Sequence, residues 1–100
     1  MISGDRLTVD QLDVLGDVYR ISKHPGDAVT LFREAVQERY PHEPRVLLQF
    51  GLACLACGDQ KLMNDAAALL LQAEQAALER SDATVAEAAR TARGKLEEKK

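Results

Sequence analysis

Two stretches of this chain carry the same order of large and small residues. Leu12-x2-Leu15-Gly16-x2-Tyr19 aligns with Leu47-x2-Phe50-Gly51-x2-Cys54, and the two glycines stand 35 residues apart. Ala28-x3-Phe32-x2-Ala35 aligns with Ala66-x3-Leu70-x2-Ala73 at an offset of 38, the three additional residues falling in the DQKLMND segment. Residues spaced three, four and seven apart share one face of an α-helix. A chain that repeats such a face has to stack helical pairs, because one pair cannot cover its own apolar side. A generic antiparallel bundle would account for the faces but not for the repeated order.

Punctuation divides the chain into five helices. Thr8 and Gln11 form the T-x-x-Q version of a capping box, with Leu7 and Leu12 placed as a hydrophobic staple. Helix one then shows Leu12, Leu15, Gly16 and Tyr19 on one face and fades near Ser22-Lys23. HPGD is a turn whose Pro25 suits the first position of helix two, which carries Ala28, Leu31, Phe32 and Ala35 and stops before YPHEP. Pro44 starts helix three, with Leu47, Phe50, Gly51 and Cys54 on its face, and Gly58 breaks it. Helix four is expected from about Leu62 to about Glu79, burying Ala66, Leu69, Leu70, Ala73 and Ala77. Asp82, or Thr84 with Glu87 three residues on, caps a fifth helix whose stripe is Val85, Ala88, Ala89, Ala92 and Leu96. Gly94 and the charges of KLEEKK favour fraying at its end. No segment has the pattern of a strand. The abundance of Ala and Leu, with aromatics at 4%, agrees with an all-α chain.

The totals narrow the classes of function. One hundred residues make one domain. A net charge of −3 supplies no global field for nucleic acid. The basic residues of the last helix and tail (Arg90, Arg93, Lys95, Lys99, Lys100) alternate with Glu87, Glu97 and Glu98 and have no aromatic platform for bases. MISGDRLTVD lacks the apolar core of a secretory signal, which favours a cytoplasmic chain. The longest uncharged run, Val46 to Gly58, is thirteen residues. That is too short to span a bilayer and suits a buried helix.

Cys54 and Cys57 form a C-x-x-C, and His24 and His42 lie in turns, so redox and zinc chemistry have to be weighed. A redox pair needs a thiolate stabilised at a helix N-terminus, whereas this pair falls at a helix C-terminus. A zinc site needs a second ligand pair at matching spacing, and the sequence has none. A disulfide between helix neighbours is geometrically poor, so reduced, core-forming thiols are expected, with no metal and no cofactor. There is no Gly-rich phosphate loop, nucleophile elbow or paired acid and base. The expectation is a chain that is not an enzyme.

At the repeated residues the chain resembles the tetratricopeptide repeat family, whose period is near 34 residues. Leu15, Gly16, Tyr19, Ala28, Phe32 and Ala35 agree with that pattern. Leu12 stands where Trp is usual, and the closing Pro comes one residue late at Pro41. In the second unit Phe50 and Cys54 replace Leu and Tyr, and no Pro closes it. The resemblance implies an α-α superhelix, with repeat one over about 8–41, repeat two over about 44–80 and a capping helix over about 82–97. It also places Gly16, Gly51, Ala28 and Ala66 where helix backbones approach closely, Gly16 between helices one and two.

In this family the first helix of each unit lines a groove that holds a partner segment. The resemblance makes Asp10, Asp13, Asp17 and Arg20 one wall, and Arg45, Leu48, Leu52 and Leu55 the other. The spacings 10, 13, 17 and 48, 52, 55 keep each set on one helix face. Relatives that clamp acidic carboxyl tails use Lys and Asn in this groove, whereas Asp13, Asp17, Leu48 and Leu52 occupy the matching positions here. A basic and apolar partner segment, most simply an amphipathic helix, fits an acidic and an aliphatic wall better. Asp13 and Asp17 have no assured cation on their own helix, since Arg20 pairs well with only one of them. The plainer view of Asp10, Asp13 and Asp17 is a solvated face with a helix-start bias. Leu71 and Leu78 cannot point with Leu70, so helix four is apolar on more than one face and needs cover from helix five or from another chain. The expectations are therefore an adaptor or chaperone-like protein-binding module, or a repeat unit that self-assembles through helix four.

Overall fold

The computed structural model describes residues 7–98 and contains five α-helices. These are α1 (Val9–Ile21), α2 (Pro25–Glu38), α3 (Pro44–Cys57), α4 (Gln60–Glu79) and α5 (Ala83–Glu98). Among the described residues there is no strand. The chain is all-α, as its residue pattern requires.

Local chemistry sets the helix ends. Thr8 Oγ1 accepts from the Gln11 amide at 3.2 Å, and Gln11 Oε1 accepts from the Thr8 amide at 2.9 Å, closing the capping box. The Tyr40 hydroxyl donates to the Leu7 carbonyl at 2.9 Å, pinning the entry of α1 to the end of α2. Asp59 accepts from the Lys61 amide at 2.9 Å, so α4 begins at Gln60, two residues before the expected Leu62. Asp82, rather than Thr84, caps α5 by accepting from the Val85 amide at 3.2 Å. Ser81 adopts a left-handed φ of 58°, which lets the Asp82 amide reach back to the Ala77 carbonyl at 2.8 Å. That closure satisfies the last carbonyls of α4 and reverses the chain into α5.

Helix α3 packs against all four others, while α1 meets α2 and α4 meets α5. The backbones of α2 and α4 do not meet. Val85, Ala89 and Ala92 lie 38 residues beyond Leu47, Gly51 and Cys54. Accordingly α5 stands to α3 and α4 as α3 stands to α1 and α2, an arrangement of repeat-like pairs. One cluster, with Leu12, Phe32, Val46 and Phe50, joins the first three helices to the start of α4 and to Leu96 near the end of α5; a second, with Leu47, Leu48, Leu70 and Val85, joins α3, α4 and α5.

Several details differ from the sequence expectation. Ala88 is exposed and Ala86 buried, because α5 presses Val85, Ala86 and Ala89 onto Leu47, Leu48 and Leu70. Leu31 and Leu69 are only half-buried. Helix α5 runs through Gly94 to Glu98, so the first four residues of KLEEKK are helical where fraying was expected, and Lys99 and Lys100 lie outside the described residues.

The two matched glycines also differ in what they admit. Gly16 approaches α3, where a Cβ would meet Gln49 Cδ at 2.7 Å, and not chiefly α2 as the repeat alignment implied. Gly51 approaches α4, where a Cβ would stand 2.8 Å from Leu70 Cγ and Cδ2. Leu70 is wholly buried, and a close-packed interior resists the displacement of such a side chain. Gly51→Ala is therefore expected to lower stability by about 1–3 kcal/mol despite the better helix propensity of Ala, read from the urea midpoint at unchanged helical signal.

Candidate interaction surface

Six polar side chains meet where α1 lies on α3. Arg45 forks across one turn of α1, donating to Asp10 at 2.5 Å and Asp13 at 2.9 Å. Both bonds, Asp13's first, raise the Arg45 pKa beyond its already high value, so this guanidinium stays charged. Arg20 donates to Asp17 at 2.5 Å. Gln49 occupies the space beneath them, only 4% exposed. Its Nε2 donates to Asp13 Oδ1 at 2.7 Å, to the Asp13 carbonyl at 3.2 Å and to Asp17 Oδ1 at 3.3 Å, while its Oε1 accepts from Arg20. The amide fits only because Gly16 has no side chain facing it.

These contacts change the standing of the expected walls. Asp10, Asp13, Asp17, Arg20 and Arg45 do come together on one surface. Asp13 and Asp17 nonetheless have assured cations, Arg45 from the neighbouring helix and Arg20 from their own. Leu48 does not line an open wall; it is buried against Val85 and Ala86, because α5 covers that side of α3. Leu52 and Leu55 are half-buried, Leu52 packed against the cluster of α3, α4 and α5 and Leu55 against the first cluster. Gln49 is the member of this network that sequence reasoning passed over. Its signal was a lone amide in the uncharged run from Val46 to Gly58, one place where a polar group needs a partner.

A second polar knot lies at the other end. Glu74, buried on α4, accepts from Arg90 Nε at 3.0 Å and from Arg93, both on α5. Two guanidiniums on one carboxylate satisfy a charge that burial alone would penalise. Arg90 and Arg93 thus serve packing between helices. Leu71 and Leu78 are left 41% and 57% exposed, so α5 does not cover the second apolar face of α4.

Sequence reasoning also missed an apolar stripe on α1. Val14, Val18 and Ile21 are 62%, 49% and 82% exposed on the face opposite Leu12 and Gly16. Their counterparts 35 residues on are Gln49, Ala53 and Ala56. Gln49 and Ala53 are buried because α1 and α2 pack there, whereas no described element covers α1. The i, i+4, i+7 spacing on the polar side of an amphipathic helix was the legible signal.

Cys54 and Cys57 are free thiols. Burial, reinforced by Asp65 and Cys57, pushes the Cys54 thiol up to about 11 from 9.0, and burial followed by Asp59 raises Cys57 as well. Neither environment favours a nucleophilic thiolate at neutral pH. Among the described residues no group of three or more His, Cys, Asp or Glu side chains gathers in metal-binding geometry, and no helix is long and apolar enough to cross a membrane. No family model matches the chain, and neither a curated protein nor a solved structure does.

Two measurements test this account. Gly16→Ala drives a methyl into the pinned Gln49 amide and is expected to cost about 1–3 kcal/mol. In a Gln49→Ala background the same change should cost clearly less, since the obstacle is gone; additive costs in the double-mutant cycle would place the clash elsewhere. For Cys54, the folded-state pKa lies above the 9.0 of an ordinary thiol. Its contribution to stability is complete below pH 9 and lost as pH rises through about 11. Urea melts across that window should show the parent losing more stability than Cys54→Ala.

Proposed function

We propose that this chain is a non-catalytic protein-interaction module of the tetratricopeptide kind, adaptor or chaperone-like, whose partner segment lies along the α1–α3 seam. The observation that supports it is the charge left over at that seam. Three carboxylates (Asp10, Asp13, Asp17) face two guanidiniums (Arg20, Arg45), and the side chains of Asp10 and Asp17 stay 82% and 56% exposed despite their bonds. Leu52 and Leu55, half-buried, follow Arg45 and Gln49 along α3. A segment bearing both basic and apolar residues matches this pairing, and an acidic tail does not. The paired arrangement also limits what each residue contributes. Asp13 is committed to holding α1 on α3, so Asp17 and Leu52 are the residues through which a partner is read.

A second reading is a unit that self-assembles through α4, favoured by the exposure of Leu71 and Leu78. Leu52→Asp and Asp17→Asn distinguish the two. On the seam reading, Leu52→Asp weakens a partner recovered from the source lysate by about tenfold or more, near 1.4 kcal/mol, with helicity intact by circular dichroism. Asp17→Asn weakens it less and flattens the salt dependence of association. Partner affinity unaltered in both variants but lost in Leu71→Asp/Leu78→Asp would move the working surface to α4.

A further inference from the structure

Helix α1 is held to the fold differently from α5, the helix at the other end of the chain. Helix α5 buries Val85, Ala86, Ala89, Ala92 and Leu96, whereas α1 buries only Leu12 and Gly16 and leaves Val9, Leu15 and Tyr19 half-buried. Val14, Val18 and Ile21 stay exposed and gain nothing from docking. Much of what fixes α1 is polar. Arg45 donates to Asp10 and Asp13, Gln49 donates to Asp13 and Asp17 and accepts from Arg20, and Tyr40 donates to the Leu7 carbonyl. Lifting α1 hands these groups to water instead of stranding them in an apolar interior, so the loss of their bonds is largely offset. Leu12 and the part of the first cluster on which it packs are the apolar surface that opening exposes.

We propose that α1 is a latch: it undocks about the Ser22–His24 turn while α2–α5 stay folded, and the interhelical ion pairs of Arg45 set how often it does so. The junction permits this. The Asp27 and Ala28 amides of α2 take the His24 carbonyl, Pro25 has no amide to offer, and no backbone bond of α2 reaches back into α1. Lys23 holds a left-handed φ of 63°, which strains a residue other than glycine and relaxes on opening. Ser81 in the α4–α5 turn is left-handed too, so the shallow burial of α1, and not its turn, singles it out. A helix of 13 residues is marginal by itself in water, so undocking also unwinds it. Helix α2 remains on α3, and the opening is therefore smaller than loss of a whole half of the core. The α1–α3 surface exists only in the closed form, so anything that binds across it also holds the latch shut. The latch itself does not depend on what that surface binds.

Amide hydrogen exchange of the whole chain, read residue by residue by NMR, tests the latch. The central amides of α1, Leu15 to Tyr19, should exchange at least tenfold faster than the central amides of α3 and α5. Raising the ionic strength from about 0.01 M to about 1 M shortens the screening length from about 30 Å to about 3 Å. That change should speed α1 several-fold relative to α3, because the Arg45 pairs weaken. Arg45→Gln should speed α1 by a similar factor at low salt, remove most of its salt response and leave α5 unchanged. Asp10→Asn, at a surface position, should do the same to a smaller extent should the Arg45 change disturb the fold. Exchange of α1 at the rate of α3, opening of α5 ahead of α1, or salt and Arg45→Gln shifting every helix equally would overturn the proposal.

Discussion

Helix α3 has almost no face that water can tolerate. From Val46 to Cys54 only Leu52 is not fully buried, and the helix carries a single charge, at Arg45. An element apolar on nearly every side has to be enclosed, and no one neighbour can do that. The remaining four helices are arranged around it: α1 and α2 on one side, α4 and α5 on the other. Small residues decide how closely they come. Gly51 admits Leu70 of α4, and Ala53 packs into the cluster shared with α2. Loss of either half would leave apolar surface of α3 in water, which makes the two halves one cooperative core.

Apolar burial alone would leave the rotation of α1 and α5 about their axes poorly determined, because Ala and Leu faces accept many registers. Two polar knots remove that freedom. Gln49 finds its partners only when Asp13, Gly16 and Asp17 face it, and Glu74 finds its own only when Arg90 and Arg93 do. A buried amide or carboxylate that loses its partners costs far more than a shifted methyl. The knots therefore add specificity more than stability. The same geometry explains why the α1–α3 surface is only weakly acidic: most of its carboxylate charge is used to position helices.

Much of the helical architecture was legible because helix ends are written locally. The Thr8–Gln11 box, Pro25, Pro44 and Gly58 act within a few residues of themselves, and each lies where the pattern placed it. The candidate surface was legible in part. Spacing put Asp10, Asp13 and Asp17 on one face, and that face exists. Spacing could not show that Arg45 reaches across from another helix, since the partners are more than thirty residues apart in the chain. The family resemblance assigned Leu48 to an open wall, when the approach of α5 closes that wall. Val14, Val18 and Ile21 went unnoticed because attention to the buried face of α1 leaves the opposite face to be taken as polar.

By itself the sequence determined five helices, their order, the ends marked by Thr8, Pro25, Pro44 and Gly58, and the small-large repeat, all through interactions within a turn or two of the backbone. Tertiary structure alone decided which of those faces meet. Gly16 and Gly51 are equivalent in the repeat, yet one admits Gln49 of the following pair and the other Leu70 of its own. Identical helical periodicity is compatible with either contact, and the choice falls to the size and polarity of the side chain that arrives. The chain pattern marks where a backbone can be approached; only the packed neighbour settles by whom.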